Sequence, residues 1–476
     1  MYRTIAQLDS AMQTLAAFFP QMCTRVELPN RSIEGRPIYA LRMRAGGGGG
    51  NRRGVLIVGG MHARELMNPD AIVELQFDLV LSYLNETGRS YGGAQWSALD
   101  IKVMLETLDI WFLTCANPDG RNEVMRPGGD RMWRKNRRVN RNTTCKGVDL
   151  NRNSDFLYGV TGPATSCSPC TETYLGRIPI SVVGTGGPFS EPESRNIEYL
   201  TENFQINVFV DVHSFSNFVL HPWGHAPVQT NDPDPSKRFP ALPSMTCQPL
   251  SPTGHREYMA PRDLTRYRTV ASRIRDTIKT VQNSNYLVKS IYEVYNGTTT
   301  GTCSDYVYSR HIASTSSQKT YGFAFETGPS TSNYLLSFQP IDPAPVKRDA
   351  KAGLISLLQQ SVCAIDFIGS ELLGISVQGI RDIRDDKLSA TEAGREWIEM
   401  VNRVQFELLG IVLSNKALTR KAASLMKRVV AIVALREKAS VSDDDVKRAV
   451  AFLDDLKSRA KTRQTRDDLS KVLQQL

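Results

Sequence analysis

Short apolar runs recur along the first three-quarters of this chain, and several end in glycine or in an ionisable side chain. PIYALRM (37–43), GVLIVGG (54–60), DIWFLTC (109–115), NVFVDVH (207–213) and TYGFAFE (320–326) have the length and the β-branched and aromatic content of strands. Between them, AIVELQFDLVLSYL (71–84) and DLTRYRTVASRIRDTI (263–278) place apolar residues at helical spacing. The alternation predicts an α/β domain over residues 1–372, with a mixed, mostly parallel central sheet flanked by helices. The tract Gly46 to Gly50 predicts a flexible hairpin or loop. Residues 225–262, rich in proline, predict a long irregular loop, of the kind that serves as a lid or remains a plain surface insertion.

The pattern changes near residue 373, beyond which there is no proline, cysteine or histidine. Trp397, Val401, Val404, Leu408 and Ile411 recur at helical spacing behind a Ser389-x-x-Glu392 capping box. Ser442-x-x-Asp445 precedes Val446, Val450 and Leu453, and Thr465-x-x-Asp468 precedes Leu469, Val472, Leu473 and Leu476. An all-α bundle is expected over 373–476, serving as an interaction module for a protein partner. Its ASVSDDDVKRAVAFL resembles the helical lid of AAA+ ATPases, but no Walker A loop accompanies it and ATPase activity is not implied.

Composition narrows the picture. At 476 residues and 41% hydrophobic, the chain can bury a large core. A net charge of +9 is mild for this length, and the run WRKNRRVNR (133–141) is read as a solvated face rather than a nucleic-acid site. No apolar run is long enough for a membrane-spanning helix. The opening MYRTIAQLDSAMQTL is amphipathic and lacks the layout of a secretory signal. Cys167-Ser-Pro-Cys170 has no second such pair, so a disulfide is preferred to a structural zinc site.

The chemistry sits where strands end. His62 and Glu65 follow GVLIVGG, His213 ends NVFVDVH, and Glu326 ends TYGFAFE. In open α/β sheets the ligand crevice lies outside the carboxyl ends of strands. H-x-x-E alone is a weak signal, but three buried strands ending in ionisable groups are hard to explain by core packing. His62, Glu65 and His213 form a two-histidine, one-carboxylate set that leaves zinc an open position. Glu326 is then available as the general acid/base. Arg134 supplies a cation for a developing oxyanion, and Asn151 with Arg152 suits a terminal carboxylate.

From about residue 2 to 370 the chain resembles zinc metallocarboxypeptidases of the pancreatic A/B type. YRTIAQLDSAM, RSIEGRPIYAL, HARE, NPDG, MWRKNR, GVDLNRN, SPCTETYLG, DVHSFS, HPWG and FAFETG occur in the family's order and spacing. The resemblance implies one zinc ion on His62, Glu65 and His213, and hydrolysis of the last peptide bond of peptides or proteins with Glu326 as acid/base. It implies Arg134 at the oxyanion, Asn151 and Arg152 at the substrate's terminal carboxylate, and Arg64 on the entry path. It also implies Asp149 behind a zinc-binding histidine, a Cys145–Cys170 disulfide, and Cys167 as an extra thiol. The family's mobile tyrosine is assigned to Tyr295, with Tyr292 as the alternative.

Ser304 aligns with the base of the side-chain pocket, and Gly224 and Ile291 with its walls, so neutral or apolar C-terminal residues are expected. A non-catalytic peptide-binding module on the same scaffold is the competing reading. Such a module would be expected to lose a zinc ligand or the base, whereas this chain keeps all four. Cleavage of acylamides or cell-wall peptides is a third reading, and the Asn151–Arg152 pair favours a free α-carboxylate instead. The disulfide implies an oxidising, extracellular compartment, whereas the tail has the character of a cytosolic or nuclear segment. The proline-rich segment is expected to act as a lid pinned through Cys247 and Cys303.

Overall fold

The computed structural model of this chain describes residues 2–46, 52–139, 145–158, 187–233, 256–295, 299–313, 318–364, 391–434 and 441–474, with Ile368, Ile380, Ile383 and Leu388 between them. The strands in chain order are β1 (Cys23–Glu27), β2 (Tyr39–Met43), β3 (Arg53–Gly59), β4 (Arg89–Tyr91), β5 (Ala94–Trp96), β6 (Leu108–Leu113), β7 (Ile206–His213), β8 (Phe218–His221), β9 (Val228–Gln229), β10 (Glu257–Tyr258), β11 (Leu287–Ser290) and β12 (Tyr321–Glu326). Eight of them form one sheet, in the order β1-β2-β6-β3-β7-β12-β8-β11.

The sheet is mixed as expected. Its central neighbours β6, β3, β7 and β12 run parallel, while β2 joins β6, and β8 joins β12, in antiparallel pairs. The central strands are mostly apolar because helices cover both faces of a parallel sheet. Val55, Leu56, Ile57 and Val58 are fully buried, and every residue of β6 is buried. The helix Ala344–Ser361 packs between Met67–Leu84 and Pro261–Gln282, and Leu75, Leu79, Ile274, Ile278, Leu354 and Leu358 of the three lie in the core.

Parallel direction and register bring the chemistry together. Glu326 at the end of β12 pairs with His213 at the end of β7, and Gly59 at the end of β3 pairs with Val212. The chain then turns sharply at Gly60, whose φ is +63°. A Cβ on Gly59 would lie 2.5 Å from the Ile72 side chain, so glycine permits the following helix to pack closely beneath the His62–Glu65 loop.

The tail is helical: Glu392–Leu413, Lys416–Ala434, Asp443–Arg459 and Arg463–Leu473. The box at Ser442 and Asp445 forms as expected, whereas the other two expectations need correction. The first helix is capped by Thr391, whose hydroxyl accepts the Gly394 amide at 3.0 Å, and Ser389 lies outside the described residues. The last helix is capped by Thr462, and Thr465 falls inside it. The reason is tertiary. The Glu407 carboxylate accepts the amides of Lys461 and Thr462 and the hydroxyls of Thr462 and Thr465, which fixes the entry of the last helix three residues early. Leu409 of the first tail helix is buried in the main core, and Gly410 lets that helix approach Leu99 and Val103. Gly47 to Gly50 of the glycine tract lie outside the described residues.

Candidate active site

Three side chains converge beyond the strand ends. His62 Nδ1 lies 2.8 Å from Glu65 Oε1, and His213 Nδ1 lies 3.1 Å from Glu65 Oε2. One ligand atom from each of the three residues falls within 4.8 Å of the others, and all three residues are buried. The far nitrogens are also held: His62 Nε2 is 3.2 Å from Asp149 Oδ1, and His213 Nε2 is 2.6 Å from Asp211 Oδ2. Both imidazoles therefore present Nδ1 to a common point, with Nε2 anchored on a carboxylate. This donor set fits zinc, which takes two imidazoles and a carboxylate and leaves a position open.

The electrostatics follow from this packing. Burial pushes the Glu65 carboxyl up, but the two histidines outweigh it and hold its pKa well below the usual range. Asp149 is likewise held low against burial, by Arg134 and His62. Burial would lower the His213 pKa, yet Asp211 and Glu65 raise it well above that of a free imidazole.

The next shell joins the metal loop to the arginines. Asn117 Nδ2 donates to the carbonyls of Met61 and Lys135, and the Ala63 amide donates to the Arg134 carbonyl. Arg134 Nε donates to Asp149 Oδ2 at 2.9 Å. Asp149 then caps the short 3-10 turn Leu150–Arg152 by accepting the Asn151 amide at 3.1 Å. Arg152 Nη1 is used by the Asn151 carbonyl at 2.7 Å, while its buried Nε has no protein partner. Asn151 Oδ1 accepts the Cys303 amide, and its Nδ2 faces His213 Nε2 at 3.0 Å. Gly301 permits this closeness, since a Cβ there would meet the Arg152 carbonyl at 2.4 Å.

Behind this segment, Asn136 Nδ2 donates to Glu191 at 2.6 Å and to Glu193 at 3.1 Å. Burial first, and the Glu191 charge second, raise the Glu193 pKa from 4.5 to about 7. The folded chain therefore keeps a proton that the unfolded chain gives up above about pH 4.5, so stability is lost as pH rises from there to about 7. The loss is on the order of 3 kcal/mol. Glu193→Gln is expected to raise Tm over the native protein at about pH 8, with the gain shrinking at about pH 5. Thermal melts at both pH values check this, and an equal shift at both would contradict it.

Across the crevice, the Tyr295 hydroxyl donates to Glu326 Oε1 at 2.7 Å. Tyr295 thus lies beside Glu326, whereas the Tyr292 amide donates to the Trp223 carbonyl. Burial raises the Glu326 pKa to about 7, with Glu65 adding to the rise and His213, Tyr295 and Arg134 opposing it. Arg64 lies with its guanidinium 4.2 Å over the Phe338 ring, and its buried Nε has no protein partner.

Ser304 is buried in the first turn of the helix Cys303–Ala313. It is the neighbouring Asp305 whose Oδ2 accepts the Gly224 amide at 2.9 Å. A Cβ on Gly224 would lie 3.0 Å from that oxygen and 3.1 Å from Ile291 Cγ2, so these three residues meet. Burial raises the Asp305 pKa to about 7. Asp211 and Asp305 were missed from the sequence. Asp211 was legible: two residues before His213 in a strand, it shares the same face.

One expectation fails. Cys303 is a free, buried thiol 3.1 Å from Ser154 Oγ, so it does not pin the proline-rich segment. Its side chain is buried against Ser154. Cys247 lies outside the described residues, as do residues 234–255 of the expected lid. The two ends of that segment are drawn together by the parallel pairing of β9 with β10. Cys145 is disulfide-bonded, while Cys167 and Cys170 lie outside the described residues.

A sequence profile described as zinc carboxypeptidase matches residues 8–348. Carboxypeptidase A1 of Mus musculus is 31% identical over 237 residues, which is 50% of this chain and 49% of the relative. Carboxypeptidase A2 of Rattus norvegicus is 31% identical over 232 residues, covering 48% and 49%. The chain thus aligns with about half the length of these relatives. Among solved structures, thrombin activatable fibrinolysis inhibitor aligns over 76% of this chain and 74% of its own, with a TM-score of 0.56 and 20% identity. Carboxypeptidase A from Helicoverpa armigera aligns over 75% and 74%, with a TM-score of 0.51 and 24% identity. These likenesses establish the fold.

Proposed function

The chain belongs to the zinc carboxypeptidase family, and we propose that it removes single residues from the free C-termini of peptides or proteins. One observation carries the reading: His62, Glu65 and His213 share a point, Glu326 ends the strand alongside, and Arg152 offers a buried guanidinium nitrogen nearby. A zinc ion on the first three would supply Lewis acidity toward a carbonyl and acidify a water molecule. Glu326 takes the proton of the attacking water and passes it to the departing amine as the C–N bond breaks. Arg134, fixed by Asp149, stabilises negative charge on the former carbonyl oxygen. Arg152 and Asn151 receive the terminal carboxylate, and Tyr295 covers the reacting groups beside Glu326.

The pocket formed where Gly224, Ile291 and Asp305 meet, with Ser304 alongside, suits a neutral or apolar side chain. The burial that raises the Asp305 pKa to about 7 disfavours the charged form there, which supports that preference. The disulfide at Cys145 supports an extracellular compartment. No helix among the described residues is long and apolar enough to cross a membrane. The tail helices are proposed as a docking module for a protein partner.

The carboxylate requirement tests the function. A peptide with a free C-terminus is expected to lose one residue, and its C-terminal amide to remain intact. Arg152→Ala is expected to lower kcat/KM on the free acid by roughly 30-fold or more, the cost of leaving a carboxylate without its buried partner. Most of this is expected in KM. Equal cleavage of acid and amide, or internal fragments, would overturn the reading.

A further inference from the structure

We propose that Asp211 is a positioning residue that holds His213 with Nδ1 aimed at the metal and gives that ligand a full negative charge at its back. The proposal rests on the metal reading above.

The two histidines are backed differently. Asp149 serves His62, but it is also ion-paired to Arg134 at 2.9 Å, so its charge is shared. Asp211 has one ionic partner among the described residues, His213 Nε2 at 2.6 Å. Its Oδ1 is buried with no hydrogen-bond partner among the described residues, and the residue is 0% exposed. Burying a carboxylate is costly unless a partner compensates it. Nothing in the packing of β7 requires one, since Val210 and Val212 beside it are apolar and buried. The charge is therefore useful only to the ring it touches.

Strand geometry explains the placement. Positions 211 and 213 project from the same face of β7, so the carboxylate sits one step back from the imidazole it holds. A metal on Nδ1 requires the ring proton on Nε2, and Asp211 accepts that proton. This fixes the tautomer and raises the basicity of the ligating nitrogen. With that proton on Nε2, the ring offers no acceptor to Asn151 Nδ2, 3.0 Å away. Two donors then face one another, and the Asn151 amide is left to turn to a substrate carboxylate.

The test uses the full chain and its Asp211→Asn and Asp211→Ala variants. Zinc affinity is measured by competition with a chelator, and melting is followed with and without zinc. Asparagine keeps an acceptor and loses the charge, so affinity is expected to fall about 10-fold; alanine loses both, and a fall approaching 100-fold is expected. Metal-free Asp211→Asn is expected to melt close to the metal-free native chain, because asparagine still accepts the ring N–H of His213. The rise in Tm caused by zinc is expected to shrink. Affinity within about twofold of native in both variants would overturn the proposal. So would a loss of affinity in Asp211→Asn matched by a clearly lower Tm of that metal-free variant, which marks a structural role. A native chain that binds no zinc would overturn the metal reading and this proposal together.

Discussion

Glu326→Gln is expected to lower kcat for release of a C-terminal residue by about 10²- to 10⁴-fold, with zinc binding unchanged. The amide matches the carboxylate in shape and still accepts the Tyr295 hydroxyl, so the bond at 2.7 Å and the fold persist. It cannot take a proton from water. Glu326 is not among the residues that converge on the metal point, so the metal count stays at one per chain. The substitution thus separates chemistry from assembly of the site. Steady-state rates on one peptide, with zinc content measured on the same samples, check it. A variant that keeps more than about a tenth of the native kcat would contradict the role.

His62→Ala is expected to weaken zinc binding by about 10³-fold, one ligand's share of a total near 12 kcal/mol, and to abolish release at ordinary zinc concentrations. His62 is the ligand to remove because its loss is the least disruptive. Asp149 would still hold Arg134 and the Asn151 amide. Removing Glu65 instead would take a carboxylate from both imidazoles and from the Ser214 amide, which donates to Glu65 at 3.1 Å. Zinc titration of the variant, with a far-ultraviolet spectrum to confirm folding, is the measurement. Native affinity in His62→Ala would remove this residue from the site.

Much of the site was legible because a strand that ends in an ionisable residue must present it at the sheet's edge. His213 and Glu326 follow from that rule, and their pairing in adjacent parallel strands is what the structure adds. Family motifs carried Arg134, Asn151 and Arg152; the structure adds that Asp149 joins the Arg134 side chain to the Asn151 amide and that the Cys303 amide holds Asn151 Oδ1. Asp211 was overlooked although the period of the strand placed it beside His213. Asp305 was not legible, since its contact with Gly224 joins the start of a helix to a loop far away in sequence. In the tail the helices were predicted but two starts were not. Local capping patterns were overruled by Glu407, which reaches across from another helix.

The most direct test is to incubate the zinc-loaded full chain with a peptide library and identify released residues by mass spectrometry, beside zinc-loaded Glu326→Gln. Single neutral or apolar residues released from free C-termini by the native chain, and almost none by the variant, are the predicted result. No release by the native chain with zinc bound would contradict the account.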